Sequence, residues 1–294
     1  MDIMKPIHIA YFSGTGGTAL AVETLKNTFL RKGLKVETTD VSKNLFKEMK
    51  DDFLIIIYPV YAFNAPKPME QWLDCIPLVH KSSPAAVISV SGGGEISPNT
   101  SCRMRVIKML EQKNYEVRYE SMIVMPSNFA IAYEEVVNAM LLRALPLKVT
   151  EIVNEILSGK PCRKNPLVID RIFSRLGLFE RLFSGKIFGR NLKATDGCTG
   201  CSWCSKECPT RNISMSDKKP VFHDKCVLCM RCVYGCPHNA ITPGIGKFLV
   251  LKNGYNLKKT SAHTAHLKVF PPVKNMTKGI LLTGVRKYLE KYYL

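Results

Sequence analysis

Eight cysteines in two matched copies constrain this chain more than any other feature. Cys198, Cys201, Cys204 and Cys208 lead into Pro209, and Cys226, Cys229, Cys232 and Cys236 lead into Pro237. Both copies read C-x2-C-x2-C-x3-C-P, 28 residues apart, and the register continues to Ile213 and Ile241. Three thiolates from one tight turn reach three corners of an iron–sulfur cubane, while the fourth cysteine opens a short helix and crosses to the other cluster. The spacing therefore predicts two 4Fe–4S clusters. One takes Cys198, Cys201, Cys204 and Cys236, and the other takes Cys226, Cys229, Cys232 and Cys208. Structural zinc uses four ligands, usually as two separated pairs, which two three-cysteine turns do not supply. Disulfides belong to oxidising compartments. The opening Met-Asp-Ile-Met-Lys-Pro enters a strand-like run with no secretory pattern, so a cytoplasmic, reducing setting is expected. Cys75, Cys102 and Cys162 stand outside the repeat and read as ordinary thiols.

Charge divides the chain in the same place as the cysteines. Of 294 residues, 42 are Lys or Arg and 24 are Asp or Glu, a formal charge of +18. Residues 1–160 hold 18 basic and 17 acidic side chains, whereas residues 161–294 hold 24 and 7. With 46% hydrophobic residues the chain is no disordered polyelectrolyte. No apolar run reaches membrane-spanning length. A basic half first suggests nucleic acid or an anionic membrane surface. Two clusters carry negative charge of their own, so the excess fits an acidic redox partner better, and no nucleic acid is expected.

The first part alternates strands and helices. Ile7 to Phe12 reads as a buried strand, and a helical pattern after Thr18 ends at Gly33. Strands are expected at Leu34–Thr38, Phe53–Tyr61, Ala85–Ser91 and Val117–Met125, with helices near Pro68–Cys75, Thr100–Lys113 and Glu134–Leu157, the last bent at Pro146. Such alternation implies a doubly wound, five-stranded parallel sheet of the α/β class, whose ligands sit beyond the carboxyl ends of the strands. Three loops fall there. Ser13-Gly14-Thr15-Gly16-Gly17-Thr18 offers small residues, hydroxyls and a helix N-terminus, a cradle for a phosphate without Lys or Arg. Pro59-Val60-Tyr61-Ala62-Phe63-Asn64 is aromatic, and Ser91-Gly92-Gly93-Gly94 is bare backbone, a pairing that suits a flat ring. A fourth loop, Met125 to Phe129, adds Asn128. Tyr61, Asn64, Glu95 and Asn128 are candidates to face a substrate, and no acid, base or nucleophile is singled out.

Ser13-x-Thr15-Gly16-x-Thr18 resembles the flavodoxin phosphate loop, Ser/Thr-x-Thr-Gly-x-Thr, over a region of about residues 5–160. The resemblance implies FMN, with its phosphate on the first loop and its ring between the second and third. Residues 194–243 resemble bacterial two-cluster ferredoxins, and the whole is similar to flavodoxin–ferredoxin fusion proteins of anaerobes. The resemblance implies a flavodoxin-like domain over 1–160 and a small α+β ferredoxin-like domain over 194–245. Between them, 161–193 is a basic amphipathic connector, expected to dock one domain on the other or, as the alternative, to lie on a membrane. The basic tail, 246–294, carries exposed His263 and His266 and a helix over Lys278–Tyr293 packing through Leu281, Val285, Tyr288, Leu289 and Tyr292. The expected function is electron transfer between two 4Fe–4S clusters and FMN, with reduction of a protein partner or small-molecule acceptor. A carrier exchanging electrons only with proteins is the alternative.

Overall fold

The computed structural model describes residues 5–43, 52–267 and 269–293, and within these the backbone alone at 179–182. The first four residues, and the Phe179 and Leu182 side chains counted in the connector pattern, lie outside what is described.

The elements of the first part are β1 (Ile7–Tyr11), α1 (Gly17–Arg31), β2 (Val36–Asp40), β3 (Phe53–Pro59), α2 (Lys67–Cys75), β4 (Ser83–Ser91), α3 (Met104–Gln112), β5 (Tyr115–Val124) and α4 (Glu135–Leu157). The strands form one parallel sheet in the order β2-β1-β3-β4-β5, flavodoxin-like, with helices on both faces. β3 shows why this sequence chooses that sheet. Ile55 and Ile57 point to the face covered by α1 and α4, packing with Leu25, Phe29 and Ile152. Leu54 and Ile56 point to the opposite face and meet Trp72 of α2 and Leu110 of α3. A strand apolar at every position is stable only when both faces are covered, and each such side chain contributes about 1.5–3 kcal/mol by leaving water. The chain reverses direction across the sheet between β1 and β3, so the loops after these strands open the crevice where ligands bind.

Strand positions match expectation to within about two residues, but two helices differ. The stretch expected as one helix from Thr100 is a 3-10 turn at Asn99–Ser101 followed by α3. The Ser97–Thr100 turn is held by Asp170, whose carboxylate accepts from Ser97 Oγ at 2.6 Å and from the Thr100 N–H at 3.1 Å. Fully buried ions close the sheet nearby. Arg103, 1% exposed, donates from Nε to Glu120 at 2.8 Å and from Nη1 to Ser89 Oγ at 2.9 Å, and also bonds Glu95. Lys164 joins from the connector, with its N–H on Glu120 at 2.7 Å and its Nζ on Glu95 at 2.6 Å. Burial would raise the Glu95 carboxyl, but the Arg103 and Lys164 charges win and hold it below its usual range.

The second part begins with α5 (Val168–Asn191) and continues through β6 (Lys193–Ala194), α6 (Trp203–Glu207), β7 (Ile213–Ser216), β8 (Lys219–Phe222), α7 (Arg231–Gly235) and β9 (Ile241–Thr242). β6 pairs with β9 and β7 with β8, both antiparallel. The cysteine repeat is also a repeat of backbone. Ser202 and Met230, 28 apart, precede α6 and α7 in the same left-handed conformation, with φ 61° and 59°. Arg211 and Asn239, at the same offset, take φ 50° and 48°.

α8 (Leu257–His263), α9 (Val273–Met276) and α10 (Thr283–Glu290) complete the chain. The helix expected from Lys278 starts later, because Gly279 at φ +91° turns the backbone and a 3-10 turn occupies Ile280–Leu282. Val285 and Leu289 are buried against Val124 and Met140 as expected, whereas Leu281, in that turn, is 68% exposed. Exposed His263 pairs with Glu135, Nδ1 to Oε1 at 2.6 Å. Among the described residues no helix is long and apolar enough to cross a membrane.

Candidate functional site

The first loop joins β1 to the N-terminus of α1. Ser13 Oγ accepts the N–H groups of Gly16 and Ala19, each at 3.2 Å, and Gly16 at φ +99° makes the turn that a side chain would strain. The N–H groups of Gly14, Thr15, Gly17 and Thr18 have no acceptor among the described residues. Free amides at the positive end of a 15-residue helix form an anion cradle, which fits a phosphate. Asn128 of the fourth loop reaches it, donating from Nδ2 to Thr15 Oγ1 at 2.6 Å.

The second loop continues the β3 end, with Val60 N–H on Val90 O at 2.8 Å. Tyr61 and Asn64 exchange backbone hydrogen bonds of 2.8 and 3.0 Å around Ala62 and Phe63, both at positive φ. The Asn64 side chain does not face a substrate. Its Nδ2 donates to Ser174 O at 2.8 Å and its Oδ1 accepts from Ser174 Oγ at 2.7 Å, latching the loop to α5. Glu95 is likewise committed to the Arg103 network. In the third loop Gly93 N–H bonds Ser91 Oγ at 3.1 Å, and Tyr133 donates to Gly92 O. A Cβ on Gly94 would stand 2.6 Å from the Gly284 carbonyl carbon, so α10 rests directly on this loop.

The eight cysteines of the repeat fall into two groups. One cavity is lined by Cys198, Cys201, Cys204 and Cys236, and a second by Cys208, Cys226, Cys229 and Cys232. Each group therefore takes three cysteines from one copy and the fourth from the other. The crossing cysteines are set by matching bonds, Asn212 N–H to Cys208 Sγ at 3.2 Å and Ala240 N–H to Cys236 Sγ at 3.3 Å. Burial pushes the Cys226 thiol up to about 12, with Cys229 adding to the shift, and raises Cys229 and Cys232 as well. Thiols so placed lose their protons to a bound metal rather than to water. Among the described residues no group of three or more His, Cys, Asp or Glu forms a site for a metal ion. The donor set, thiolates alone arranged around two cavities, fits iron–sulfur clusters.

The second cavity abuts the phosphate-type loop. A Cβ on Gly14 would lie 2.6 Å from Cys229 O and 3.3 Å from Cys229 Cβ. Arg231, between Cys229 and Cys232 in sequence, donates to Ser13 O at 2.6 Å, Gly14 O at 3.3 Å and Ser42 Oγ at 3.2 Å. It anchors back on Glu207 O at 2.9 Å. Tyr61 stands beside this contact. Its ring is part-exposed and edge-on to Phe12 at 6.2 Å, while its hydroxyl is buried with no hydrogen-bond partner among the described residues. Burial, reinforced by Cys229, raises its pKa well above 10, so the phenol keeps its proton.

A family model described as a 4Fe-4S dicluster domain matches residues 197–241. A curated relative, the B component of the ion-translocating oxidoreductase complex of Methanosarcina acetivorans, is 39% identical over 56 residues, which are 18% of this chain and 21% of that protein's length. Solved structures similar to this chain include the Fusobacterium nucleatum flavodoxin bound to flavin mononucleotide. It is 17% identical over 53% of this chain and 99% of the flavodoxin, with a TM-score of 0.39. A putative quinone reductase from Klebsiella pneumoniae is 11% identical over 53% of this chain and 86% of its own, with a TM-score of 0.39. Sheet order and the dicluster match link this chain to flavodoxin-like and ferredoxin-like electron-transfer proteins.

Sequence reasoning named the loops and cysteines but missed Arg231, Ser174 and Gly284, which join them. One signal was present in α5: Gly177, Gly185 and Gly189. The first admits Ala62 O, and the other two admit the backbone and Cβ of Cys226. Glycines recurring on one side of a helix mark a close backbone contact.

Proposed function

We propose that this chain is an iron–sulfur flavoprotein. It passes electrons between two 4Fe–4S clusters and FMN and delivers them to a protein partner or small-molecule acceptor. The observation that carries the reading is the packing of Cys229, in one of the two four-cysteine cavities, against Gly14 of the phosphate-type loop. Cys198, Cys201, Cys204 and Cys236 would hold the outer cluster, and Cys226, Cys229, Cys232 and Cys208 the one beside the flavin. The amides of Gly14, Thr15, Gly17 and Thr18 would hold the phosphate, with Pro59 to Asn64, Ser91 to Gly94 and Asn128 around the ring. FMN supplies one- or two-electron chemistry, whereas each cluster exchanges single electrons, so the pair converts one into the other. Arg231 keeps the two sites in register, and Tyr61 excludes water from the space between them. The basic excess of residues 161–294 favours an acidic redox protein of the ferredoxin or flavodoxin kind as the partner.

Anaerobic purification is expected to give one FMN and about eight irons per chain. Cys208→Ser and Cys236→Ser should each remove about four of them, Cys208→Ser abolishing the cluster coupled to the flavin in paramagnetic resonance spectra. A fully loaded sample with one kind of cofactor overturns the reading. The carrier alternative draws support from the capping of the flavin-side loops by α5, α10 and Tyr234, which bonds Asn128 O at 2.9 Å. The open cleft beside the fourth loop, lined by Ser127, Tyr133, Lys247, Lys259 and His263, supports an acceptor of small size. Turnover with a reductant and small acceptors separates the two.

A further inference from the structure

The connector docks, but with an unexpected face. The residues of α5 that press on the rest of the chain are mostly small or polar, Asp170, Ser174, Gly177, Gly185 and Gly189, joined by the buried ring of Phe188. Six of its large apolar side chains point away. Val168, Ile169, Ile172, Leu176, Phe183 and Ile187 are 48–72% exposed. At 100° per residue these six fall within one stripe about 100° wide, opposite the docked face and about 29 Å long. Arg171 and Arg175 line one edge of it, exposed and without ion pairs among the described residues. Water is a poor solvent for such a surface, and a monomer leaves one exposed when something covers it.

We propose that this stripe is the surface by which the protein lies on an anionic lipid bilayer. Two observations favour that occupant. A second copy would bring a chain of charge +18, and two further arginines, against the first, whereas anionic headgroups attract both. A convex apolar face edged by arginines is the pattern of a helix lying in the headgroup layer, where no matching pocket is needed. The inference does not depend on the proposed redox chemistry. It places the clusters and flavin loops, which pack on the other side of α5, next to the bilayer without crossing it.

The test is co-sedimentation of the full chain, purified anaerobically, with vesicles of phosphatidylcholine alone or with a quarter phosphatidylglycerol. Binding to the mixed vesicles that weakens with salt is expected. The triple variant Ile172→Gln/Leu176→Gln/Phe183→Gln should bind about a hundredfold more weakly, since it loses three side chains' burial in lipid. Ultracentrifugation without lipid should show wild type and variant in the same oligomeric state. A second measurement is independent of how that variant folds: in Phe183→Trp the emission should shift to the blue on mixed vesicles and be quenched by brominated acyl chains. No binding at low salt overturns the proposal, as does equal binding by the triple variant, which means charge alone is responsible. A lipid-free assembly that the triple variant dissolves assigns the stripe to a second copy instead.

Discussion

Gly14→Ala tests the contact on which the functional reading depends. In the flavodoxin-type pattern the position after Ser13 is unrestricted, so the loop itself does not demand glycine. Here the new Cβ would meet the movable Tyr61 hydroxyl first and would sit 2.6 Å from the fixed Cys229 O. Carbon and oxygen in close contact stand about 3.3 Å apart, so the loops must separate by roughly 0.7 Å. Forcing an extra carbon into packed backbone costs about 1–3 kcal/mol. Alanine's narrower unfolded ensemble offsets about 0.4–1 kcal/mol of that, leaving a net loss of about 1–2 kcal/mol. For a chain of this size the melting temperature should fall by roughly 2–8 °C. Gly197→Ala is the control, because its Cβ would meet nothing nearer than 3.8 Å, and it should leave the melt level or slightly raised. Thermal unfolding followed by circular dichroism reads both. The sign is decisive: where the loop is free, the alanine stabilises. A Gly14→Ala protein that melts at or above the wild type shows that Cys229 does not press on this loop.

Arg103→Met should lose about 3–5 kcal/mol in denaturant unfolding, because Glu120 stays buried with its main partner gone; a loss under about 1 kcal/mol refutes the network. The depressed Glu95 carboxyl gives stability that is complete above the ordinary value of 4.5 and is lost as pH falls through its lowered value. Glu95→Gln should therefore flatten the acid side of the stability profile while keeping its shape near neutrality, and an unchanged acid limb contradicts the ion pair. Tyr61→Phe removes a hydroxyl with no hydrogen-bond partner among the described residues, so stability should change by less than about 1 kcal/mol. If that hydroxyl faces the sulfurs around Cys229, the same change makes the potential of the flavin-side cluster more negative in a resonance-monitored titration, and an unmoved potential removes that role.

The sheet was legible because its signals are local. Phe53 to Tyr58 is apolar throughout and can only be a strand covered twice, and Gly33 ends α1 as it must. The cysteine groups were legible because spacing alone dictates which thiols meet. What joins them was not, since Arg231 and Gly14 are 217 residues apart and nothing local marks a guanidinium that will bond two distant carbonyls. The connector was half legible. Its apolar and basic pattern announced an amphipathic helix, but composition could not say that glycines would dock beside Phe188 while six large hydrophobic residues would be left outside. The Asn64 latch was hidden for a similar reason: an asparagine in a turn satisfies its own backbone as readily as a distant serine.

On the proposed reading, Arg231 also makes two binding events one thermodynamic unit. It is held between Cys229 and Cys232, and its far end fixes the carbonyls of the loop that would cradle the phosphate. On the proposed reading, ordering α7 around iron orders that loop, so iron loading tightens the flavin by some factor. Reciprocity then requires the flavin to tighten the hold on iron by the same factor. Cells starved of either nutrient would lose both cofactors from this chain together, and Arg231→Ala would let each be lost alone.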